Sequence, residues 1–303
     1  MSKARKLKIG VVQMSMTDVP ADNTDAAEHW VRQAAEQGAE LVCLPELFRS
    51  RYFCQTEDYA PFQLAEAVPG PTTDRFAELA RELDIAIVLS LFEERAAGLY
   101  HNTAALVDGA HGYVGKYRKM HIPDDPRYYE KFYFTPGDLG FKVYPAKQAN
   151  LGLLVCWDQW YPEAARLTAL MGAQLLVYPT AIGWHPEEQA AVGKAQHSAW
   201  ETIQRSHAIA NGCYVVAANR TGFEPDPSAA SAANSGIRFW GQSFVVAPDG
   251  TIIARAGEDE QTVLVVELDF ARIATQRQGW PFLRDRRIDA YAPIERRYLD
   301  GDR

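Results

Sequence analysis

The sequence predicts an α/β fold in which helices cover mixed β-sheets. Short apolar runs rich in β-branched residues alternate with segments of helical period through most of the 303 residues. A strand-rich stretch at 103–117 and a hairpin pattern at 243–254 add antiparallel pairs to the parallel pairs that such alternation produces. Apolar residues make up 47% of the chain, so a chain of this length buries a large core without disulfides. We therefore expect a single domain over residues 1–303.

The first half of the chain alternates strands and helices. The helix over 24–37 is predicted from Ala27, Trp30, Val31 and Ala34, which recur at the spacing of one helix face, and Gly38 stands at its expected end. A second amphipathic helix contains Phe76, Leu79, Ala80 and Leu83. The predicted strands are Lys8–Met14, Leu41–Leu44, Ile85–Phe92 and those within 103–117.

The second half repeats this alternation. A helix is predicted over Pro162–Met171, with proline in its first turn, and a long helix over 195–211. The segment Pro225–Gly236 is small and polar, which indicates a surface loop. The predicted strands are Leu151–Val155, Leu175–Tyr178, Tyr214–Ala218, Ser243–Ala247, Thr251–Ala254 and Val263–Leu268.

Composition excludes several classes of protein. The net charge of −8 is spread without long runs, which argues against nucleic acid and anionic membranes as partners. The sequence has no apolar stretch of about 18 residues for a membrane span and no signal-peptide pattern. Its four cysteines, at 43, 54, 156 and 213, are far apart, and its histidines lack metal-ligand spacing. We expect a cytoplasmic protein with reduced thiols.

Three reactive side chains of different kinds each follow a predicted strand. Glu46 comes after LVCLP, Lys119 after 113–118, and Cys156 after LGLLV. Ligands gather at the carboxyl ends of strands in α/β sheets, so these are candidate site residues. Cys156 also lies where a strand turns sharply into a helix, as nucleophiles of hydrolases do. Two interpretations stay open for this thiol at this point: a nucleophile activated by a base, or a small buried apolar residue.

The motifs around these residues resemble the nitrilase superfamily of carbon–nitrogen hydrolases. Three signatures match in order and spacing: Leu-Pro-Glu46-Leu-Phe, Tyr-Arg-Lys119-Met-His and Cys156-Trp-Asp-Gln-Trp-Tyr-Pro-Glu163. A fourth feature is Glu130-Lys-Phe-Tyr-Phe134, followed by Pro-Gly-Asp138. The resemblance runs from about residue 8 to about residue 290. It implies a four-layer α-β-β-α sandwich and a reaction without a metal or an organic cofactor.

The resemblance also implies a role for each site residue. Glu46 would act as general base and Cys156 as nucleophile. Lys119 and the backbone N–H of Trp157 would stabilise the oxyanion, and Glu130 would position the lysine or the substrate. The superfamily commonly forms dimers and larger assemblies, so we expect a homo-oligomer. The charged and aromatic tail 288–303 is expected either to fray or to reach a neighbouring subunit.

The longer motif stretches are similar to those of amidases that act on carbamoylated amines. Relatives that hydrolyse N-carbamoyl amino acids carry two arginines for the substrate carboxylate, where this chain has Gln159 and Trp160. Because a buried carboxylate without a cationic partner is costly, we expect a carbamoylated amine as the small-molecule substrate. Its distal ammonium needs an anionic or aromatic site. Asp125, Trp184 and Glu187 are candidates, since each lies near a motif.

Other functions remain open from the sequence. Alternative substrates are an N-carbamoyl amino acid, a β-ureido acid, an ω-amide and a nitrile. Two alternatives belong to other classes: a catalytically silent scaffold for assembly, and a metal-dependent amide hydrolase. The intact Glu–Lys–Cys set speaks against the first, and the absence of metal-ligand spacing speaks against the second.

Overall fold

A computed structural model describes residues 5–228 and 235–300, and for Glu187 only the backbone. Its helices are α1 (Pro20–Glu36), α2 (Pro71–Leu83), α3 (Glu130–Tyr133), α4 (Pro162–Leu170), α5 (Pro186–Asn211) and α6 (Ala271–Gly279). Its strands are β1 (Lys6–Gln13), β2 (Leu41–Cys43), β3 (Ala86–Ala96), β4 (Leu99–Asp108), β5 (Gly112–Arg118), β6 (Val143–Ala146), β7 (Ala149–Leu153), β8 (Leu175–Pro179), β9 (Gly183–Trp184), β10 (Tyr214–Ala218), β11 (Thr221–Pro225), β12 (Gly236–Trp240), β13 (Phe244–Val246), β14 (Ile252–Arg255) and β15 (Thr262–Asp269).

The strands of the described residues form two six-stranded sheets and one small sheet. The first sheet has the order β15-β1-β2-β3-β4-β5, and the second has the order β14-β13-β10-β8-β7-β6. Both sheets are mixed. In the first, β1, β2 and β3 pair in parallel, and β3, β4 and β5 pair antiparallel. In the second, β7, β8 and β10 pair in parallel, and β6 and β13 pair antiparallel with β7 and β10. The small sheet has the order β11-β12-β9.

The two large sheets pack face to face between layers of helices. Ile9 and Val88 of the first sheet share one buried cluster with Leu153 and Val177 of the second. The opposite face of the first sheet is covered by α1 and α2, and α4 and α5 cover the second sheet. Apolar strands such as β8 and β10 are buried at every position, as strands covered on both faces require. The predicted four-layer α-β-β-α sandwich is confirmed.

The structure extends several elements beyond their predicted bounds. Helix α5 begins at Pro186, nine residues before the predicted start, and α1 begins at Pro20, four residues early. In both cases proline occupies the first turn, where its missing N–H costs nothing, and the residues that follow show no regular apolar period. The small sheet and α6 were not predicted. Of the loop predicted at 225–236, residues 229–234 lie outside the described part of the chain.

The C-terminal tail lies at the surface of the molecule. Residues 288–300 of the tail are exposed and form two short 3₁₀ turns, Ile288–Ala290 and Ala292–Glu295, and residues 301–303 lie outside the described part. Among the described residues, no helix is both long and apolar enough to cross a membrane.

A buried ion network fixes the end of β5, directly before Lys119. Glu93 on β3 accepts hydrogen bonds from Lys116 Nζ (2.6 Å), from Arg118 Nη2 (2.7 Å) and from Thr103 Oγ1 (2.6 Å). Burial alone would raise the pKa of Glu93, but the bonds from Arg118, Lys116 and Thr103 outweigh it and lower that pKa to about 2. Because Glu93 is 1% exposed, the network holds β3, β4 and β5 in one arrangement.

We expect Glu93→Gln to lower the free energy of unfolding by about 3 kcal/mol at pH 7, because it leaves two cations with a neutral partner. The stability that a depressed carboxyl pKa contributes is present above the unfolded value of about 4.3 and is lost as pH falls toward the folded value. The difference in the free energy of unfolding between wild type and variant should therefore shrink as the pH falls from about 5 to about 2. Denaturant melts at several pH values measure this. The exposed neighbour variant Glu94→Gln should change stability by less than about 0.5 kcal/mol at every pH.

Candidate active site

Glu46, Lys119 and Glu130 form a buried charged centre. Lys119 Nζ donates to Glu46 Oε1 at 2.8 Å and to Glu130 Oε2 at 2.7 Å, and all three residues are at most 1% exposed. Glu46 lies just after β2, Lys119 directly after β5, and Glu130 at the start of α3. The centre therefore joins the ends of two strands of the first sheet to the short helix that follows them.

Cys156 approaches this centre from the second sheet. It begins a 3₁₀ turn, Cys156–Trp160, shortly after β7, and its backbone has the left-handed φ of 37°. A residue other than glycine is strained in this conformation, and such strain persists only where surrounding contacts fix it. Here Asp158 supplies them, since its Oδ2 accepts from the N–H of Val155 and from the hydroxyl of Tyr117, both at 2.9 Å. Tyr117 lies on β5, so one carboxylate links the cysteine turn to the strand that carries Lys119.

The electrostatics of the thiol follow from its neighbours. Burial raises the pKa of Cys156 well above its ordinary value, the charge of Glu46 raises it further, and the charge of Lys119 opposes both. The thiol is therefore neutral at rest and needs a proton acceptor before it attacks. Glu46 Oε2 is buried and has no hydrogen-bond partner among the described residues. A carboxylate oxygen that is not bonded is free to take that proton.

The carboxyl groups and the lysine influence one another strongly. Burial alone would lower the pKa of Lys119, but the charges of Glu130 and Glu46 hold it well above its ordinary value. Burial raises the pKa of Glu130, against the opposing charge of Lys119. Lys119 thus stays a cation at the centre, where it is placed to stabilise negative charge that develops nearby.

Four polar residues that sequence reasoning missed hold the centre in place. Asn102 Nδ2 donates to Glu46 Oε1 at 2.7 Å, and the hydroxyl of Tyr52 donates to Glu130 Oε1 at 2.7 Å. Arg220 is fully buried and donates to the carbonyl oxygens of Glu46 (3.0 Å) and Leu47 (2.6 Å). Glu224 accepts from Arg220 at 2.8 Å and from the N–H of Tyr52. An Asn-Arg pair after the buried strand β10 was the available signal for Arg220.

A cavity of about 470 Å³ opens at Cys156. Aromatic side chains form much of its wall, among them Trp157, Trp160 and Trp240. Its carboxyl groups are those of Asp125, Glu130 and Glu188, and it also contains the imidazole of His185. Within the described residues, the lining of this cavity contains no lysine and no arginine.

Buried polar atoms on the cavity wall lack partners. Among the described residues, the indole N–H groups of Trp160 and Trp240 and the side-chain oxygen of Gln196 make no hydrogen bond, although all three residues line the cavity. Trp240 is only 2% exposed. These three atoms are therefore available to a polar ligand that enters the cavity.

The predicted ligand-binding residues divide into three groups. Asp125 and Trp157 line the cavity. The indole N–H of Trp184 donates to the carbonyl of Gly193 at 3.1 Å, and its ring packs on Trp240. Trp184 is not among the residues that line the cavity. Glu187 belongs to α5, and its side chain lies outside the described part of the chain.

Gln159 and Trp160, which stand where relatives carry two arginines, lie in different surroundings. Trp160 faces the cavity, but Gln159 is buried against α5, where its Oε1 accepts from Trp200 Nε1 at 2.9 Å and from Gln204 Nε2 at 3.1 Å. Of the two positions, only 160 lines the cavity. Among the described residues, no cluster of His, Cys, Asp and Glu side chains has the arrangement of a metal site.

Cys43, Cys54 and Cys213 are buried, as expected for packing residues. Burial raises the pKa of the Cys43 and Cys54 thiols, and that of Cys213 to about 12. Among the four cysteines, Cys156 alone lines the cavity. The arrangement thus offers one accessible thiol, an adjacent carboxylate and a fixed cation, which is the equipment for nucleophilic attack on a carbonyl carbon.

Comparison with known proteins extends these observations. Residues 8–278 match the model of the carbon-nitrogen hydrolase family. The chain is 42% identical to a rice (Oryza sativa subsp. japonica) N-carbamoylputrescine amidase over 98% of its length and 97% of the relative's. It is 39% identical to a citrullinase of Francisella tularensis, with 96% and 99% covered. The crystal structure of a carbon-nitrogen hydrolase from Helicobacter pylori G27 superposes with a TM-score of 0.93 at 46% identity, covering 97% of this chain and all of that one.

The stacked sheets and these matches place the chain in the nitrilase superfamily of α-β-β-α hydrolases. More narrowly, the chain belongs to the carbon-nitrogen hydrolase family, whose members hydrolyse carbon–nitrogen bonds other than peptide bonds. The resemblance in the sequence motifs and the predicted enzyme class are confirmed.

Proposed function

We propose that the chain is an N-carbamoylputrescine amidase, which hydrolyses N-carbamoylputrescine to putrescine, ammonia and carbon dioxide. The observation that carries the proposal is the charge of the cavity, in which the described lining has three carboxyl groups and no lysine or arginine. A substrate with a distal ammonium fits such a cavity, whereas one with a carboxylate would be buried without a cationic partner. The rice relative bears the same activity in its name.

The first half of the proposed reaction uses the charged centre. Glu46 takes the proton of Cys156 through its unbonded Oε2 as the sulfur attacks the ureido carbonyl carbon. Lys119 and the backbone N–H of Trp157 stabilise the oxygen as it becomes negative. The C–N bond to the terminal nitrogen then breaks, and Glu46 returns the proton to the leaving ammonia. The product is an S-carbamoyl enzyme.

The second half regenerates the thiol. Glu46 takes a proton from water, whose oxygen attacks the S-carbamoyl carbon, and the carbon–sulfur bond breaks. The proton passes to the sulfur of Cys156, and the released carbamic acid decomposes to carbon dioxide and the amine. Glu130 Oε2 accepts a hydrogen bond from Lys119 Nζ at 2.7 Å, which makes Glu130 a positioning residue in this proposal.

Ammonia release from three ureido substrates tests the proposal. N-carbamoylputrescine, L-citrulline and N-carbamoyl-D-phenylalanine share the reacting group, but the last two carry a carboxylate. We expect kcat/KM for N-carbamoylputrescine to exceed the other two by at least about 100-fold, which is the scale of burying an unpaired charge in this cavity. Preference for either amino acid would refute the substrate assignment and leave the family chemistry standing. If none of the three substrates is hydrolysed, ω-amides and nitriles are the next substrates to test.

The same proposal includes the setting in which the enzyme works. We propose that it acts in the cytoplasm as a homo-oligomer, without nucleic acid or membrane as a partner. Exposed apolar side chains on α4 (Leu167, Leu170) and after α6 (Trp280, Phe282) support an interface between subunits. Light scattering at several protein concentrations would measure the assembly directly.

A further inference from the structure

One wall of the cavity leads from the thiol to a carboxylate at the start of α5. Cys156 Sγ lies 4.0 Å from the carbonyl oxygen of Ala181. The chain then continues along the cavity through Ile182, Gly183 and His185, and Glu188 lies in the first turn of α5. The side chain of Glu188 is 47% exposed, so it stands at the open end of the cavity.

Tyr128 binds the backbone of this wall at Gly183. Its hydroxyl donates to the carbonyl oxygen of Gly183 and accepts from the N–H of the same residue, both at 3.1 Å. Burial raises the pKa of the Tyr128 phenol, and the charges of Cys156 and Glu188 raise it further. The two hydrogen bonds fix the backbone of the wall at Gly183.

The length of the substrate sets how far from the thiol the ammonium lies. In an extended ureido-butylamine, the carbonyl carbon and the distal nitrogen are separated by six bonds, or roughly 7.5 Å. With an attack distance of about 3 Å and a charged hydrogen bond of about 2.8 Å, the partner of the ammonium lies within about 13 Å of the thiol sulfur. Glu188 lines the same cavity as Cys156, so it is a candidate for that partner.

The surroundings of Glu188 favour a cation from outside the protein. His185 Nε2 lies 3.8 Å from Glu188 Oε2, which is an ion-pair separation without a hydrogen bond. The half-exposed carboxylate has about four lone-pair sites and so keeps room for a second cation. Aromatic faces of Trp157 and Trp160 and the unpaired indole N–H of the buried Trp240 line the path inward. Apolar and aromatic walls suit a tetramethylene chain and add cation–π attraction to an ammonium.

We propose that Glu188 binds the distal ammonium of the substrate and thereby makes the enzyme selective for carbamoylated diamines over neutral alkylureas. The proposal rests on the proposed function and refines it. Glu188 adjoins the predicted Glu187, whose side chain lies outside the described part of the chain. Asp125, the other carboxylate near the mouth, is the competing candidate. No chemical step passes through Glu188, so it is a specificity residue.

The experiment compares two substrates of equal chain length. N-carbamoylputrescine carries the distal ammonium, and butylurea lacks only that nitrogen. Steady-state kcat and KM for both are measured with the wild type, Glu188→Gln and Asp125→Asn. Glutamine also satisfies the third position of a helix N-terminus, so the start of α5 is preserved in the variant. Glu163→Gln, an exposed carboxylate in the first turn of α4, is the matched control outside the cavity.

We expect the wild type to favour N-carbamoylputrescine, and Glu188→Gln to reduce that preference by about 10- to 100-fold, the scale of one charged hydrogen bond. The loss should appear in KM for the charged substrate, with kcat and butylurea kinetics changing far less. Glu163→Gln should match the wild type on both substrates. A parallel fall for both substrates in Glu188→Gln would overturn the proposal, as would loss of the preference in Asp125→Asn alone.

Calorimetric titration with putrescine separates failure of this inference from failure of the proposed function. If the wild type binds putrescine and Glu188→Gln binds it at least about 10-fold more weakly, the ammonium site stands even where N-carbamoylputrescine is not hydrolysed. If N-carbamoylputrescine is hydrolysed but the dissociation constant of putrescine is the same in both proteins, the ammonium site is overturned and the function stands.

Discussion

Cys156→Ala is expected to lower kcat for N-carbamoylputrescine by at least about 10⁴-fold, because the variant has no atom to form the S-carbamoyl intermediate. The fold should persist, since alanine fills most of the space of a side chain that faces a cavity. Ammonia release measures the activity. Mass spectrometry of the wild type, quenched with substrate present, should detect the covalent adduct, which the variant cannot form.

Cys213→Ala is the matched control for this prediction. Cys213 is equally buried, lies in the core of the second sheet and does not line the cavity. Its replacement should leave kcat within about twofold while lowering stability by about 1 kcal/mol. Residual turnover above 10% in Cys156→Ala would refute the assignment of the nucleophile. A catalytically silent scaffold would show no difference between the two variants.

Lys119→Met is expected to damage both stability and activity. The methionine would leave the carboxyl groups of Glu46 and Glu130 buried side by side without their shared cation. Breaking a buried ion pair by removing one partner costs about 3–5 kcal/mol, so the free energy of unfolding should fall by that amount. Loss of the charge that faces the oxyanion should lower kcat by about 10³-fold. Denaturant melts and ammonia release measure the two effects.

The double variant Lys119→Met/Glu130→Gln separates these two roles of the lysine. Removing one carboxyl charge relieves the repulsion, so the double variant should regain part of the stability lost in Lys119→Met. It should not regain activity, because the cation near the thiol is still missing. Recovery of turnover together with stability would show that Lys119 serves the fold alone and would remove it from the proposed mechanism.

The layer architecture could be predicted because its causes are local. Helical period in 24–37 and continuous apolar runs such as Leu175–Tyr178 reflect the face that each element buries. Local pattern failed where the cause was not local. The first nine residues of α5 are mostly exposed and show no apolar period. The small sheet forms from short strands, of which β9 and β12 pair across more than 50 residues of chain.

The sequence by itself determined which residues can take part in a reaction: a carboxylate, a lysine and a cysteine at the ends of three strands. Only the tertiary structure decided how they meet. Glu46 and Lys119 follow strands of the first sheet, whereas Cys156 follows a strand of the second. The cysteine therefore reaches the other two residues only because the two sheets stack on each other. Stacking also decides that Gln159 bonds to Trp200 on α5 while Trp160 faces the cavity, and that Arg220 reaches the carbonyl of Glu46. The physical reason is that a side chain's type is a local property, whereas its direction and partners are set by packing between distant segments.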